Sequence, residues 1–182
     1  MKRDSNGYKL HENGDKTWKN PAGQYHRTDG PAIECANGSK EWYFKGQYHR
    51  TDGPAVEWAN GTKKWCINGQ LHRLDGPAIE FANGDKYWYF KGQYHRTDGP
   101  AIERANGDKE WYIHDKLHRT DGPAVEYADG TKEWWFNGQR HRADGPAVEE
   151  ANGTKYWYFK GKKISEKEYY SKNFQVKIVM ES

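Results

Sequence analysis

His26-Arg27-Thr28-Asp29 places an imidazole near a carboxylate, the pairing used by a general base and the group that orients it. The arrangement is not unique in the chain. His49, His72, His95, His118 and His141 repeat it, each followed by Arg, with Asp-Gly-Pro-Ala starting three residues after each His. Catalysis needs one asymmetric pocket, and six equal copies without a companion nucleophile describe six equal turns. No Gly-rich phosphate loop, Cys-His pair or metal-spaced carboxylate cluster accompanies them. Six imidazoles also suggest a metal. Hairpins stacked through paired strands would set equivalent side chains about 10 Å apart, too far to share a zinc ion with bonds of about 2.0–2.1 Å. One coil of a β-helix per repeat would bring them to about 4.8 Å and make sharing feasible. The chain is therefore read as non-enzymatic, with no catalytic residue, metal site or cofactor. Each repeat His is expected to pack on Trp and be held by the nearby Asp, while His11 and His114 lie outside the pattern on the surface. Arg27 and its equivalents are expected to pair with Glu at the Glu34 or Glu41 positions, as an exposed cross-strand ladder.

Positioning these groups falls to a chain of 182 residues that is 34% hydrophobic, with much of its apolar content in Trp, Tyr and Phe. Such a composition suits thin sheets better than a thick helical core. The net charge is +3 with acids and bases intermixed, and the individual repeats are near neutral, unlike a dedicated polyphosphate-binding surface. Residues 1–25 hold no apolar segment of about 7–15 residues, and no run approaches the roughly 20 of a membrane span. A soluble, cytoplasmic protein without membrane contact is expected. Cys35 and Cys66 occupy non-equivalent places in their repeats and read as packing thiols in a reducing compartment.

The 23-residue period runs without insertion from His26 to Lys163, the mark of an array in which each unit contacts its neighbours. Asn37-Gly38, Asn60-Gly61, Asn83-Gly84, Asn106-Gly107, Asp129-Gly130 and Asn152-Gly153 read as two-residue type I′ hairpin turns. A second signal follows at Lys45-Gly46, Asn68-Gly69, Lys91-Gly92, Asn137-Gly138 and Lys160-Gly161; Asp115 replaces the glycine in the fourth copy, predicting a looser turn there. Each repeat then has three short antiparallel strands, with Thr-Asp-Gly-Pro as the return and its Asp accepting from turn amides. Two-residue loops at both turns set Ile33 opposite Trp42 and Trp42 opposite His49. Ile33, Trp42, Phe44 and His49 share a structural face; Ala32, Glu34, Ala36, Glu41, Tyr43, Tyr48 and Arg50 form the other.

One repeat cannot offset the entropy of ordering its own backbone, so neighbours must support it and the ends must be closed. Residues 1–25 are assigned to an N-terminal partial repeat, 26–163 to six repeats and 164–182 to a C-terminal cap. In the first of these, LHENGDKTW (10–18) looks like a shortened unit. In the last, Ser165 and Glu168 form a capping box for a short helix from Glu166 to Lys172, and FQVKIVM adds a final strand.

The period, the recurring aromatic-x-x-Gly-x-x-His (Tyr43 to His49) and the Asn-Gly turns resemble MORN repeats, more closely the divergent type of bacterial and viral proteins. The resemblance covers residues 10–163. It implies an all-β, elongated single-layer array of antiparallel β-hairpins, a MORN-like solenoid with a short C-terminal helical cap, and a role in binding or scaffolding. The chain departs from the usual motif: Arg27 and its equivalents follow the His where Gly is usual, and Glu, Lys or Tyr precede the Trp. The membrane-lipid association suggested for that family is not carried over.

The expected binding surface is the second face, with Tyr43, Tyr89, Tyr112, Trp135 and Tyr158 in a row flanked by Tyr48, Tyr94, Arg50 and Arg96. Aromatic rows with Arg are typical of interface hot spots. The leading expectation is capture or blocking of a protein partner, in phage–host conflict if the viral-type resemblance holds. The alternative is sequestration of a nucleotide or single-stranded nucleic acid by stacking and Arg contacts.

Overall fold

The computed structural model describes residues 7–171. It is nearly all β, and the chain divides into two compact units, one running to Gln93 and the other starting at Tyr94. Both are built from the same antiparallel hairpins. Each of the first five repeats contributes four two-residue strands rather than three longer ones, and the sixth has three, Val148–Glu149, Lys155–Phe159 and Lys162–Ile164; in the first repeat they are Ile33–Glu34, Lys40–Glu41, Tyr43–Phe44 and Gln47–Tyr48. The first two enter a sheet shared with neighbouring repeats, and the last two close a separate hairpin. Trp42 is the junction. Its N–H donates to Ala55 O of the next repeat (2.8 Å) and its carbonyl accepts from His49 N–H (3.1 Å), which fits the expected pairing of Trp42 with His49.

In the first unit the shared sheet runs in order through Lys9–Leu10, Lys16–Thr17, Ile33–Glu34, Lys40–Glu41, Val56–Glu57, Lys63–Lys64, Ile79–Glu80 and Lys86–Tyr87. In the second it runs through Ile102–Glu103, Lys109–Glu110, Val125–Glu126, Lys132–Glu133, Val148–Glu149, Lys155–Phe159 and Lys162–Ile164. Within each unit, equivalent residues of adjacent repeats stand two strands apart, so the hairpin spacing applies and not that of a coil.

The Asn-Gly turn differs from the type I′ turn that the sequence predicts. Cys35 O accepts from Gly38 N–H (2.9 Å) and Cys35 N–H donates to Ser39 O (2.9 Å), closing a three-residue loop. Only Gly38, at φ +91°, is left-handed; Asn37 is not, and its Oδ1 accepts from Ser39 N–H (2.9 Å). This is a type I turn followed by a glycine bulge. The neighbouring repeat selects it: the freed Ala36 N–H donates to Asp15 Oδ1 (2.8 Å), as Ala59 N–H does to Ser39 Oγ (2.9 Å) and Ala151 N–H to Thr131 Oγ1 (3.1 Å).

A one-residue slip exchanges faces. Ile33 pairs with Glu41, not Trp42, and Glu34 with Lys40. Ile33 therefore joins Glu41 and Tyr43, whereas Ala32, Glu34 and Ala36 move to the side of Trp42 and Phe44. The second turn is type I′ as expected, with Lys45 at φ +48° and Gly46 at +79°. Its fourth copy is no looser: His114 (φ +49°) and Asp115 (φ +62°) keep the same two-residue loop, because aspartate tolerates this conformation and Asp115 Oδ1 accepts from Tyr94 N–H (2.8 Å).

The core is a thin strip. Ala32, Ala55, Ala78, Ala101, Ala124 and Ala147 have no exposed surface, and Val56, Ile79, Ile102, Val125 and Val148 are buried beside them. The repeat tryptophans are only half-buried. At the C-terminal end Phe159, Ile164 and Tyr169 form a small cluster against which Trp157 packs. Ser165 Oγ accepts from Glu168 N–H (3.1 Å), capping a helix that spans Glu166–Tyr169 and stops short of the expected end. Lys172 and the FQVKIVM strand lie outside the described residues. Tyr169 ties the helix down by donating from its hydroxyl to Ala143 O (2.6 Å). Tyr169→Phe keeps the ring and removes this bond, so chemical denaturation should show the second unit destabilised by about 0.5–1.5 kcal/mol.

Candidate functional site

The Arg of each His-Arg pair lies flat against the tryptophan. Arg50 Cζ is 4.0 Å from the centre of the Trp42 ring; its Nε donates to Asp52 Oδ1 (2.9 Å), and its Nη1 to Pro54 O (3.2 Å) and Glu57 Oε1 (3.0 Å). Gly53 closes the other side: a Cβ there would lie 2.9 Å from Arg50 Cζ, so this glycine is needed for close approach. The stack recurs at Arg27 on Trp18, Arg73 on Trp65, Arg119 on Trp111 and Arg142 on Trp134. Arg96 has the same polar partners in Asp98, Pro100 and Glu103.

Three expectations change as a result. The return Asp accepts from the Arg Nε, and at Asp29, Asp52, Asp75, Asp98 and Asp121 the adjacent guanidinium holds the carboxyl below its ordinary range. The Arg pairs with the Glu34 position, one of the two expected, but is mostly covered where the sequence predicts an exposed ladder. Arg50 and Arg96, placed by the sequence beside the tyrosines, have their guanidiniums committed on the tryptophan side or to the return loop.

The repeat His does not rest on Trp and Asp. Its Nδ1 accepts the backbone N–H of the first residue in the type I′ turn nineteen positions on: His26 from Lys45 (3.1 Å), His49 from Asn68 (3.2 Å), His72 from Lys91 (3.2 Å), His95 from His114 (3.3 Å), His118 from Asn137 (3.2 Å) and His141 from Lys160 (3.2 Å). A backbone amide can only donate, so at His26, His72, His95 and His141 Nδ1 is unprotonated and the proton of the neutral ring sits on Nε2; at His49 and His118 Nδ1 also lies 2.9 and 3.0 Å from Asn68 and Asn137 Oδ1, an oxygen that only accepts. In four copies the ring packs on the phenylalanine beside that turn, as His26 on Phe44 (4.8 Å) and His118 on Phe136 (4.6 Å), whereas His95 lies 4.3 Å from His114. Burial lowers the pKa of His95 and His141, helped by neighbouring His114 and Lys160 respectively. His114 is exposed, while His11 is half-buried, its Nε2 2.9 Å from Thr17 Oγ1.

On the other face, the first unit stacks Tyr43 on Tyr48 at 4.3 Å, and both hydroxyls donate to Glu41 Oε2 (3.1 Å each). Burial raises the pKa of both phenols. Tyr89 is half-buried in the same unit. In the second unit Tyr94 lies 5.3 Å from Tyr112, whose hydroxyl donates to Glu110 Oε2 (2.9 Å). Trp135 Nε1 donates to Glu133 Oε2 (2.8 Å), and Arg140 lies over Trp135 (5.0 Å) and Tyr158 (5.4 Å) while bonding Glu133.

Sequence reasoning missed a second row on this face. The Cys35 position is filled by Trp58, Phe81, Arg104, Tyr127 and Glu150, and across the strand the Glu41 position by Lys64, Tyr87, Glu110, Glu133 and Tyr156. Partners match within copies: Lys64 over Trp58 (4.3 Å), Phe81 edge-on to Tyr87 (5.0 Å), and Arg104 bonded to Glu110. The signal was copy-to-copy variation, which becomes interpretable only with the three-residue loop register. Cys66 is buried on this side, its thiol pushed up to about 11, and Cys35 is raised by burial as well.

Among the described residues, no group of three or more His, Cys, Asp or Glu is placed to hold a metal ion, and no helix is long and apolar enough to cross a membrane. No model of a known protein family matches the chain, and no curated protein matches it.

Proposed function

We propose that the chain is a non-enzymatic binding scaffold of the MORN-like type that holds a protein partner along the face carrying Tyr43, Tyr48, Tyr89, Tyr94, Tyr112, Trp135 and Tyr158. The observation that carries this reading is the contrast between the faces. The Arg–Trp–Gly stack is the same in copy after copy, whereas the Tyr side changes at the Cys35, Glu41, Tyr43 and Tyr48 positions. Structural demands repeat with the period; recognition of an irregular protein surface does not. Exposed Trp58 and Tyr127 add area suited to an interface. Protein is favoured over nucleotide because Arg50 and Arg96 are engaged internally, leaving fewer cations for phosphate. Capture in a phage–host setting rests on the family resemblance alone.

The test is affinity purification from the native host, with the partner identified by mass spectrometry and its affinity then measured against purified variants. Combining Tyr112→Ala, Trp135→Ala and Tyr158→Ala should weaken binding by about 1,000-fold or more, equal to two hot-spot losses of about 2 kcal/mol each, while circular dichroism stays unchanged. Undiminished affinity in a folded triple variant would refute the reading.

A further inference from the structure

We propose that two copies of the chain pair across a two-fold axis through the open edge of the shared sheet, strand Lys9–Leu10 against the same strand of the second copy. Among the described residues this strand is the first of the sheet and pairs only with Lys16–Thr17. His11 N–H donates to Asp15 O inside the hairpin (2.9 Å). Backbone groups alternate along an antiparallel strand, so the N–H and C=O of Leu10 and the N–H of Glu12 point outward. The first repeat shows what such outward groups do where a unit precedes them. Ala32 O accepts from Trp18 N–H (2.8 Å), Glu34 pairs with Lys16, and Ala36 N–H donates to Asp15 Oδ1 (2.8 Å). Beside Lys9–Leu10 the place of that unit is a hollow of about 560 Å³ along residues 9–13.

The side chain at the edge selects the occupant. In the repeats this position is glutamate, and it meets a lysine of the preceding unit: Lys16 with Glu34, Lys40 with Glu57, Lys63 with Glu80, Lys109 with Glu126 and Lys132 with Glu149. Leu10 stands there instead and is 61% exposed. A lysine-bearing strand, such as Lys155–Phe159 of another copy, would lose its carboxylate and meet an apolar side chain. A second Leu10 supplies the apolar contact that this position lacks. At the C-terminal end the helix Glu166–Tyr169 stands where other copies have the Thr-Asp-Gly-Pro return, so that end does not repeat the offer. A two-fold contact uses the same patch on both chains, and the assembly closes at two.

The register serves both strands. With the axis at Leu10, its N–H donates to Leu10 O of the second copy and its own carbonyl accepts the reverse bond, with the Cα atoms about 5.5 Å apart. Glu12 N–H then faces Tyr8 O of the second copy, and a carbonyl oxygen can accept two bonds. Lysines on an edge strand usually discourage such pairing. Here each Lys9 falls opposite His11 of the second copy and not opposite the other Lys9, so the two ammonium groups are not set face to face. The contact is strand addition in which the added strand is the chain's own.

Sedimentation equilibrium of the full chain at 0.15 M salt should show the mass rising from one chain toward two between about 1 and about 500 µM, the range expected of a small interface. Hydrogen exchange at the Leu10 and Glu12 amides should slow as the mass rises. Leu10→Glu restores the residue of the other copies, so the fold is kept, and sets two carboxylates across the axis; pairing should weaken at least about tenfold. Leu10→Pro removes the outward N–H, leaves the inward bonds of Lys9 and His11, and should weaken pairing as much. Tyr158→Ala, on the face proposed for protein capture, should leave the mass unchanged, so the two readings stand or fall separately. A single chain up to about 500 µM would overturn the proposal, leaving the edge to a foreign strand or to the chain itself. So would growth beyond two copies, the sign of a head-to-tail contact, or pairing that survives Leu10→Glu.

Discussion

Replacing Arg73 with alanine is expected to lower the stability of the first unit by about 2–4 kcal/mol, among the largest effects available to one side chain in so thin a core. Its guanidinium lies 4.0 Å from the Trp65 ring and donates to Pro77 O (3.3 Å) and Glu80 Oε1 (3.0 Å). Truncation uncovers the indole and leaves a carbonyl and a half-buried carboxylate without their donor. No share is assigned to the bond with Asp75, whose carboxylate is in water. Arg73→Lys should recover less than half, because an ammonium keeps the charge but cannot lie flat on the ring and bond three oxygens in the plane of a fork. Gly76→Ala probes the opposite side: its Cβ would sit 3.0 Å from Arg73 Cζ, and the pinned guanidinium would have to move, at about 1–3 kcal/mol. Urea denaturation followed by tryptophan fluorescence measures all three. A loss below about 0.5 kcal/mol for Arg73→Ala, the range of ordinary surface changes, would refute the stack as the main support of the repeat.

Stability should also fall as the pH drops from about 6.5 toward 5, in a step separate from general acid unfolding. His95 and His141 each accept a turn amide at Nδ1, and a protonated Nδ1 cannot accept. His95, faced by His114, and His141, faced by Lys160, have folded pKa values below their unfolded ones, so the unfolded chain takes up the protons more readily. Their contribution is therefore complete above the unfolded value near 6.5 and is lost as the pH falls through the folded values. Two such bonds, at about 0.5–1.5 kcal/mol each, put the total at about 1–3 kcal/mol. The depressed aspartates contribute in a lower window, their share persisting above pH 3.8 and vanishing below it as they protonate. Denaturant midpoints at pH 8, 6.5, 5.5 and 5 locate the step. A flat profile over that range would show that the Nδ1 bonds carry no stability.

Several features were legible in the residues themselves. Lys45-Gly46 demanded left-handed backbone at two positions and obtained it, fixing Trp42 against His49. Arg27 found Glu34, one of its two expected partners. Asn37-Gly38 misled because the same dipeptide serves two loops, one with both residues left-handed and one with only the glycine. What decides between them is whether Ala36 N–H bonds across its own hairpin or to Asp15 in the preceding unit, and that acceptor is 21 residues away.

The sequence alone determined that one antiparallel hairpin unit is built repeatedly, since the period and the glycines at left-handed turns are local properties of the chain. The tertiary structure decided which side chains share a face, that Arg lies between tryptophan and glycine, and that imidazole holds a turn amide. The reason is physical: turn conformation follows from backbone sterics within a few residues, whereas register and stacking depend on hydrogen bonds and ring contacts supplied by the next copy. A slip of one residue leaves the local sterics almost unchanged yet sends every side chain of a strand to the opposite side.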